Sequence, residues 1–150
     1  MDVTTALDAP GSPALVFTFV DDLVAYPRWL ELVHRAEPAE AHPDDPGPAW
    51  LVQIRGRLGP LTRSKRLRMV RTHLEPASSV RFERMEHDGR DHGRWVLEAE
   101  ATPVGPASRL TVGLHYDGGG WVPMLERLLA EEIKRSGARL VDLVAASSGA

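Results

Sequence analysis

The sequence contains no cysteine, no long apolar run and no large excess of either charge. The lack of cysteine excludes disulfides, thiol catalysis, thiolate metal sites and iron–sulfur ligation. A formal net charge of -3 offers no general attraction to nucleic acid or anionic lipid. The apolar run from Ala14 to Val20 is too short for a membrane span, and the N-terminus has acids where a signal peptide needs bases. We therefore expect a cytoplasmic protein with no nucleic-acid partner and no integral membrane segment.

The length of 150 residues fits one ordinary domain, which we expect to occupy residues 1–150. A chain of this length buries roughly two thirds of the surface that it exposes when unfolded. The domain therefore has enough interior for a real core, and an internal cavity is possible.

The N-terminal residues predict one strand followed by two short helices. The β-branched residues Val3, Thr4 and Thr5 favour a strand over 2–8, which the turn sequence APGSP ends. Ser12 before Pro13 is typical of a helix start, and apolar residues at helical spacing continue the helix to about residue 23. Proline at position 27 breaks this pattern and predicts a second short helix, which carries the apolar residues Trp29, Leu30 and Val33.

The middle of the chain predicts six antiparallel strands, because turn sequences rich in proline and glycine recur about every dozen residues. The predicted strands are 35–41, 49–57, 63–74, 79–87, 94–102 and 108–117. Alternating positions place their apolar residues on one face of a sheet. These residues are Trp50, Val52, Ile54, Leu67, Met69, Val80, Phe82, Trp95, Leu97, Ala99, Leu110, Val112, Leu114 and Tyr116.

A long amphipathic helix is predicted at the C-terminus, over about 121–146. Gly118, Gly119 and Gly120 precede it and permit a sharp chain reversal. At 1.5 Å per residue the helix is roughly 39 Å long, enough to cross a small domain. Its apolar stripe is expected to cover the apolar face of the sheet. The stripe consists of Val122, Leu125, Leu129, Ile133, Ser136, Leu140 and either Leu143 or Val144.

This order of elements, with three sequence segments, resembles the START-like (SRPBCC) superfamily, and in particular bacterial members of the polyketide cyclase/dehydrase type. The first segment, SPALVFTFVDDLVAYPRWLELV, is similar to the family's opening helix pair in its Asp21 or Asp22, Tyr26, Pro27 and Trp29. The segments SVRFERMEHDGR and SRLTVGLHYDGGGW are also similar. The resemblance implies an α+β helix-grip fold, in which a curved antiparallel seven-stranded sheet wraps around the C-terminal helix. It brings no catalytic motif, and a fold does not name a chemistry.

Four ionisable residues interrupt the predicted apolar face: Arg71, His73, Arg84 and Glu86. As catalytic candidates, an arginine would hold an oxygen anion while His73 or Glu86 moved protons. We favour a structural cross-strand Arg–Glu pair near the rim of the sheet, because charged residues usually stay near water. A bulge would turn these side chains outward. Tyr116 is a fifth candidate, although a half-buried tyrosine that caps the core is the preferred interpretation.

No metal or other cofactor is predicted. His34, His42, His87, His92 and His115 are scattered without metal-ligand spacing, and no nucleotide-binding or serine hydrolase motif is present.

The leading hypothesis is a monomeric or dimeric protein that binds a hydrophobic small molecule, such as a lipid, polyketide or aromatic metabolite, between the sheet and the C-terminal helix. The alternatives are a polyketide cyclase or aromatase that uses the same cavity, and a non-catalytic module that binds another protein. The predicted ligand-binding residues are Trp50, Val52, Ile54, Leu67, Met69, Phe82, Trp95, Leu97, Ala99, Val112, Leu114, Tyr116, Leu125, Leu129 and Ile133.

Overall fold

A computed structural model describes the backbone of residues 2–58, 60–117 and 122–148, and their side chains except at 57, 58, 61, 63, 122–130, 133 and 148. Two short helical segments follow the first strand, and six more strands lead to a long helix. The elements are β1 (Asp2–Pro10), α1 (Pro13–Phe17), a 3-10 helix (Leu23–Arg28), β2 (Val33–Pro38), β3 (Ala49–Leu58), β4 (Leu61–Glu75), β5 (Ser79–Arg84), β6 (Trp95–Val104), β7 (Ala107–Tyr116) and α2 (Val122–Ser148).

The seven strands form one curved antiparallel sheet in the order β1-β7-β6-β5-β4-β3-β2. Its inner face carries the buried apolar residues that alternation predicts, and the opposite face is mainly polar. The short helical segments and α2 cover the inner face, so the core lies between them and the sheet. The predicted helix-grip fold is confirmed.

The first helix is shorter than predicted. It ends at Phe17, and the chain starts a separate 3-10 helix in which the side chain of Asp22 caps the N–H of Val24 at 2.9 Å. The single helix that we expected is therefore two short helical segments, with Ser12 and Asp22 as their N-caps. Trp29 and Leu30 follow the 3-10 helix, and Val33 opens β2, so the predicted second helix carrying them is wrong.

The C-terminal half of α2 packs on β1. Ser136, Leu140 and Val144 are buried, as the predicted stripe requires. A side chain at Gly137 would come within 3.3 Å of the Leu7 side chain, so the close approach of α2 to β1 depends on glycine at this position. The predicted roles of Leu125, Leu129, Ile133 and the Gly118–Gly120 turn lie outside the described residues. No helix in the described part of the chain is long and apolar enough to cross a membrane.

Candidate ligand cavity

An apolar cavity lies at the centre of the inner face. Its volume is about 40 Å³, and its exposed lining is entirely apolar. Strands β3, β4, β6 and β7 supply one wall, and the chain from the 3-10 helix to the start of β2 supplies the other. The described lining residues are Leu23, Leu30, Leu32, Val33, Val52, Ile54, Leu67, Met69, Trp95, Leu97, Val112 and Leu114.

The predicted lining matches this cavity only in part. Eight predicted residues line it, all of them on the sheet. Trp50, Phe82, Ala99 and Tyr116 are buried on the same face but do not line the cavity. Four lining residues, Leu23, Leu30, Leu32 and Val33, were not predicted from the sequence. Most of these residues lie in helical and turn segments, so they show no period-two pattern. They reach the cavity because the chain from the 3-10 helix to β2 folds back over the sheet.

One end of the inner face is filled by a cluster of four aromatic residues, Tyr26, Trp29, Trp50 and Phe82. The Phe82 ring meets those of Tyr26 and Trp50 edge-on, at centroid distances of 6.3 and 5.4 Å. The hydroxyl of Tyr26 donates to the carbonyl of Val20 at 3.0 Å, and the indole Nε1 of Trp29 donates to a backbone carbonyl at the same distance. Burial raises the pKa of Tyr26 far above its usual range. This end is therefore closed, with its buried donors satisfied.

Trp95 and Tyr116 form a second aromatic pair, with ring centroids 5.0 Å apart. Trp95 is 2 % exposed, yet its indole Nε1 is buried without a hydrogen-bond partner in the described part of the chain. The ammonium of Lys65 lies over the Trp95 ring, 5.8 Å from the centroid, in a cation–π contact. Burial, and then the charge of Arg84, lower the pKa of Lys65.

Arg84 and Glu86 form an ion pair beside this second cluster. Nε of Arg84 lies 3.2 Å from Oε1 of Glu86, and the Arg84 side chain is only 8 % exposed. The same Glu86 oxygen accepts the backbone N–H of Arg68 at 2.9 Å, where β4 passes the end of β5. This pair joins residues two positions apart in the sequence and is therefore not the predicted cross-strand pair, although Glu86 both neutralises an arginine and satisfies a backbone donor.

The four predicted ionisable residues do not converge on one site. In the antiparallel β4–β5 pair, Arg71 lies opposite Phe82 whereas Arg84 lies opposite Met69, so the two arginines are offset by two positions, and their side chains bond to different residues. Arg71 donates to the backbone carbonyl of Asp21 at 3.4 Å. Burial raises the pKa of Asp21, and the charges of Asp22 and Arg71 act on it in opposite directions.

The predicted inward orientation of His73 is wrong. The register of β4 against β5 shifts between Arg71 and His73, which places His73 opposite Arg81. The imidazole lies on the exposed outer face, 3.1 Å from the hydroxyl of Ser79. The bulge reverses the alternation of the strand, as an inserted residue does.

A buried acid on α2, which the apolar stripe did not predict, lies near the other wall of the cavity. Glu132 is 8 % exposed and accepts a hydrogen bond from the backbone of Leu32, a lining residue. Burial and the nearby carboxylate of Glu31 raise the pKa of Glu132. Arg139 pairs with Glu31 at 2.9 Å and so neutralises that carboxylate.

The outer face carries a polar cluster in which Arg68 and Asp45 form two hydrogen bonds, at 2.9 and 2.6 Å. This pair, together with His87 at 2.8 Å from Asp45, holds the pKa of the Asp45 carboxyl well below its usual range. The ring of His87 stacks on that of His42 with a centroid distance of 3.6 Å, so these two histidines are not scattered as expected.

Among the described residues, His42, Asp44 and His87 have ligand atoms that lie within 4.8 Å of one another. The planes of the two imidazoles differ by only 5°. Ring nitrogens bind metals in the plane of the ring, and stacked parallel planes leave no position that lies in both. Nδ1 of His42 also accepts the backbone N–H of Asp44 at 3.1 Å. The arrangement joins two loops and is not a ligating geometry.

The fold of the chain is similar to several solved structures at low sequence identity. A START superfamily protein from Mycobacterium smegmatis is 17% identical, with a TM-score of 0.70 and coverage of 96% of this chain and 97% of that one. A conserved protein from Geobacillus kaustophilus is 13% identical, with a TM-score of 0.73 and coverage of 98% and 97%.

The di-domain ARO/CYC StfQ from the steffimycin biosynthetic pathway is 14% identical, with a TM-score of 0.70; the match covers 99% of this chain and 52% of that one. At these identities the likeness shows the fold alone. A search of curated proteins finds no match to the sequence. The family model described as "Polyketide cyclase / dehydrase and lipid transport" matches residues 1–145, so the chain belongs to that family.

Proposed function

We propose that the protein binds a mainly apolar small molecule between the inner face of the sheet and the elements that cover it. The observation that carries this proposal is the cavity at the centre of that face, with its entirely apolar described lining. Membership of a family that includes cyclases and lipid transport proteins supports it. Burial of apolar ligand surface would supply the affinity.

A volume of about 40 Å³ is too small for a lipid or polyketide, so one wall has to move when such a molecule enters. The sheet wall is held by backbone hydrogen bonds between neighbouring strands. Leu23, Leu30 and Leu32 instead belong to the 3-10 helix and the turn before β2. We infer that this segment is the wall that yields, because short helices and turns open at lower free energy than the centre of a sheet.

Filling the cavity tests the proposal. Val112 is fully buried and lines it, whereas Val104 is 39% exposed at the far end of β6. We expect Val112→Phe to reduce the affinity for Nile red, a neutral apolar dye, by at least about tenfold, because the added ring occupies the ligand space. The same change at Val104 should leave the affinity unaltered. Equal dye binding by wild type and a folded Val112→Phe variant would contradict the proposal.

Cyclase activity in the same cavity is the second candidate function. The cations of Lys65 and Arg84 favour it, because fixed positive charge stabilises an enolate oxygen. His73 faces away from the cavity, so proton transfer would fall to Glu86, Lys65 or Tyr116. The test is incubation with a reactive poly-β-ketone, which spontaneously gives a mixture of cyclised products. One dominant product, absent with Val112→Phe, would support catalysis, and an unaltered product mixture would exclude it.

The described residues give no support to the protein-interaction hypothesis. The large apolar side chains that they expose are Val24, Leu51, Leu74 and Val104, and these lie on four different elements. A docking surface would require a contiguous apolar patch.

A further inference from the structure

The inner face carries an excess of positive charge at the edge of the apolar cavity. Lys65 pairs with Ile54 across β3 and β4, and Arg84 pairs with Met69 across β4 and β5. Both partners, Ile54 and Met69, line the cavity. Each cation therefore lies directly across from a residue of the apolar wall, and Trp95 belongs to the same wall.

The described residues neutralise these two cations only in part. Lys65 has no hydrogen bond or ion pair with any of them, and its contact is with the Trp95 ring. Arg84 pairs with Glu86 through Nε alone, and its Nη1 makes a long contact of 3.5 Å to the carbonyl of Gly93. Among the described residues, Glu86 is thus the one carboxylate that pairs with either cation.

Arg68 lies in the same sheet, and its guanidinium makes several hydrogen bonds within the protein. Its guanidinium makes a bidentate pair with Asp45 and also donates to the backbone carbonyls of Met85 and Glu40. Compared with Arg68, Arg84 retains unused donors although its side chain is similarly buried. Buried donors of charged groups are normally satisfied, which indicates that Arg84 accepts a further partner.

A third unused donor belongs to Trp95, which contacts both Lys65 and the cavity. The indole Nε1 of Trp95 is buried without an acceptor among the described residues, while the Trp95 ring lines the cavity and lies under the Lys65 ammonium. The donors available to an acceptor at this edge of the cavity are therefore an ammonium, a guanidinium and an indole N–H. A neutral carbonyl would use one of them, whereas a carboxylate has enough lone pairs for all three.

We propose that the ligand of the cavity is an amphipathic acid, whose carboxylate binds Lys65, Arg84 and the indole N–H of Trp95 while its apolar body fills the cavity. This inference rests on the proposed function and adds the charge and position of the ligand's head group. The desolvation and mutual repulsion of the two cations are relieved when the anion binds. An apolar acid is consequently preferred over the alcohol with the same chain.

The test is displacement of Nile red at pH 7 by decanoate and by decanol, which share a chain length and differ in the head group. Decanoate is ionised at this pH. We expect wild type to prefer decanoate by roughly tenfold, the effect of one or two charge-assisted hydrogen bonds. In Lys65→Met the preference should disappear through loss of decanoate affinity, while the affinity for decanol stays within about twofold.

Lys134 provides the matched control, because it is the second of the two lysines in the chain and is exposed on α2. Lys134→Met should keep the full preference for decanoate, and Lys65→Arg should retain most of it. Equal affinity of wild type for decanoate and decanol would overturn the carboxylate site while leaving the apolar cavity intact. A preference that survives in both Lys65→Met and Arg84→Met would also overturn it. Failure of wild type to bind Nile red and both chains would remove the proposed function, and the carboxylate site with it.

Discussion

The two ends of the inner face carry similar aromatic residues in opposite states of hydrogen bonding. Trp29 and Trp95 are both buried, with exposed fractions of 0% and 2%. The N–H of Trp29 bonds a backbone carbonyl, and the nearby Tyr26 hydroxyl does the same. Among the described residues, the N–H of Trp95 has no acceptor, and its neighbour Lys65 has no counter-ion. The donors of the first cluster are thus all used within the protein, whereas the second keeps the unused donors on which the proposed carboxylate site rests.

Replacement of each tryptophan by phenylalanine gives the largest expected contrast. Trp29→Phe should lower the free energy of unfolding by about 3 kcal/mol, because it leaves a gap in a packed core and an unpaired carbonyl at Phe19. Trp95→Phe should cost about 1–2 kcal/mol, because it removes a similar volume but breaks no hydrogen bond. Urea unfolding of both variants measures the difference.

Equal losses at the two positions would mean that the Trp29 hydrogen bond makes no net contribution to the free energy of unfolding. A larger loss at Trp95 would show that its N–H has a partner in solution, and would remove one of the three donors from the proposed carboxylate site.

Loss of a single hydroxyl in the closed cluster gives a smaller effect. We expect Tyr26→Phe to lower the free energy of unfolding by about 1–2 kcal/mol, because the carbonyl of Val20 loses its buried donor while the ring packing on Phe82 is kept. Thermal and urea unfolding should agree on this loss. An unchanged midpoint would indicate that water replaces the hydroxyl, and the cluster would then be less closed than its burial implies.

Removal of the lysine charge in the second cluster should cost almost nothing in stability. Since the folded state lowers the pKa of Lys65, it binds that proton less tightly than the unfolded chain does. The ammonium therefore destabilises the folded state below its folded pKa, and this penalty disappears as pH rises toward the unfolded value of 10.5. We expect Lys65→Met to be within about 0.5 kcal/mol of wild type or slightly more stable at pH 7.

The pH dependence of that difference provides the check. The stability of wild type relative to Lys65→Met should rise as pH increases from 7 toward 10, measured by urea unfolding with Lys134→Met as the control. A relative stability that falls over this range would show that Lys65 has a carboxylate partner in the folded state, contrary to the described contacts.

Much of the fold could be predicted from alternation and turn sequences. Every predicted strand overlaps an observed one, because period-two burial is a local property of each segment. The bulge at Arg71–His73 could not be predicted, since no residue there marks an inserted position, and it reversed the orientation of His73. The division of the first helix into segments that begin at Ser12 and Asp22 could have been predicted, because both are favourable capping residues.

The site was less predictable, because it depends on how strands pair. Counting inward positions along β4 and β5 grouped Arg71 with Arg84, although they are offset in the strand register and bond to different residues. Lys65 has the parity of Leu67 and Met69, so alternation alone places it on the inner face. The basic sequence around it, RSKRLRMVR, is more typical of a solvated surface, so the pattern does not single out Lys65. The unsatisfied state of Trp95 requires coordinates, because no sequence pattern records a missing acceptor.

The contact between Gly137 and Leu7 limits which wall of the cavity can move. Because α2 touches β1 there without an intervening side chain, and Val144 packs near Gly11 further along, the C-terminal half of the helix is held against the sheet. The opening that we infer for a larger guest therefore falls to the segment with Leu23, Leu30 and Leu32, and no strand pairing has to break for it.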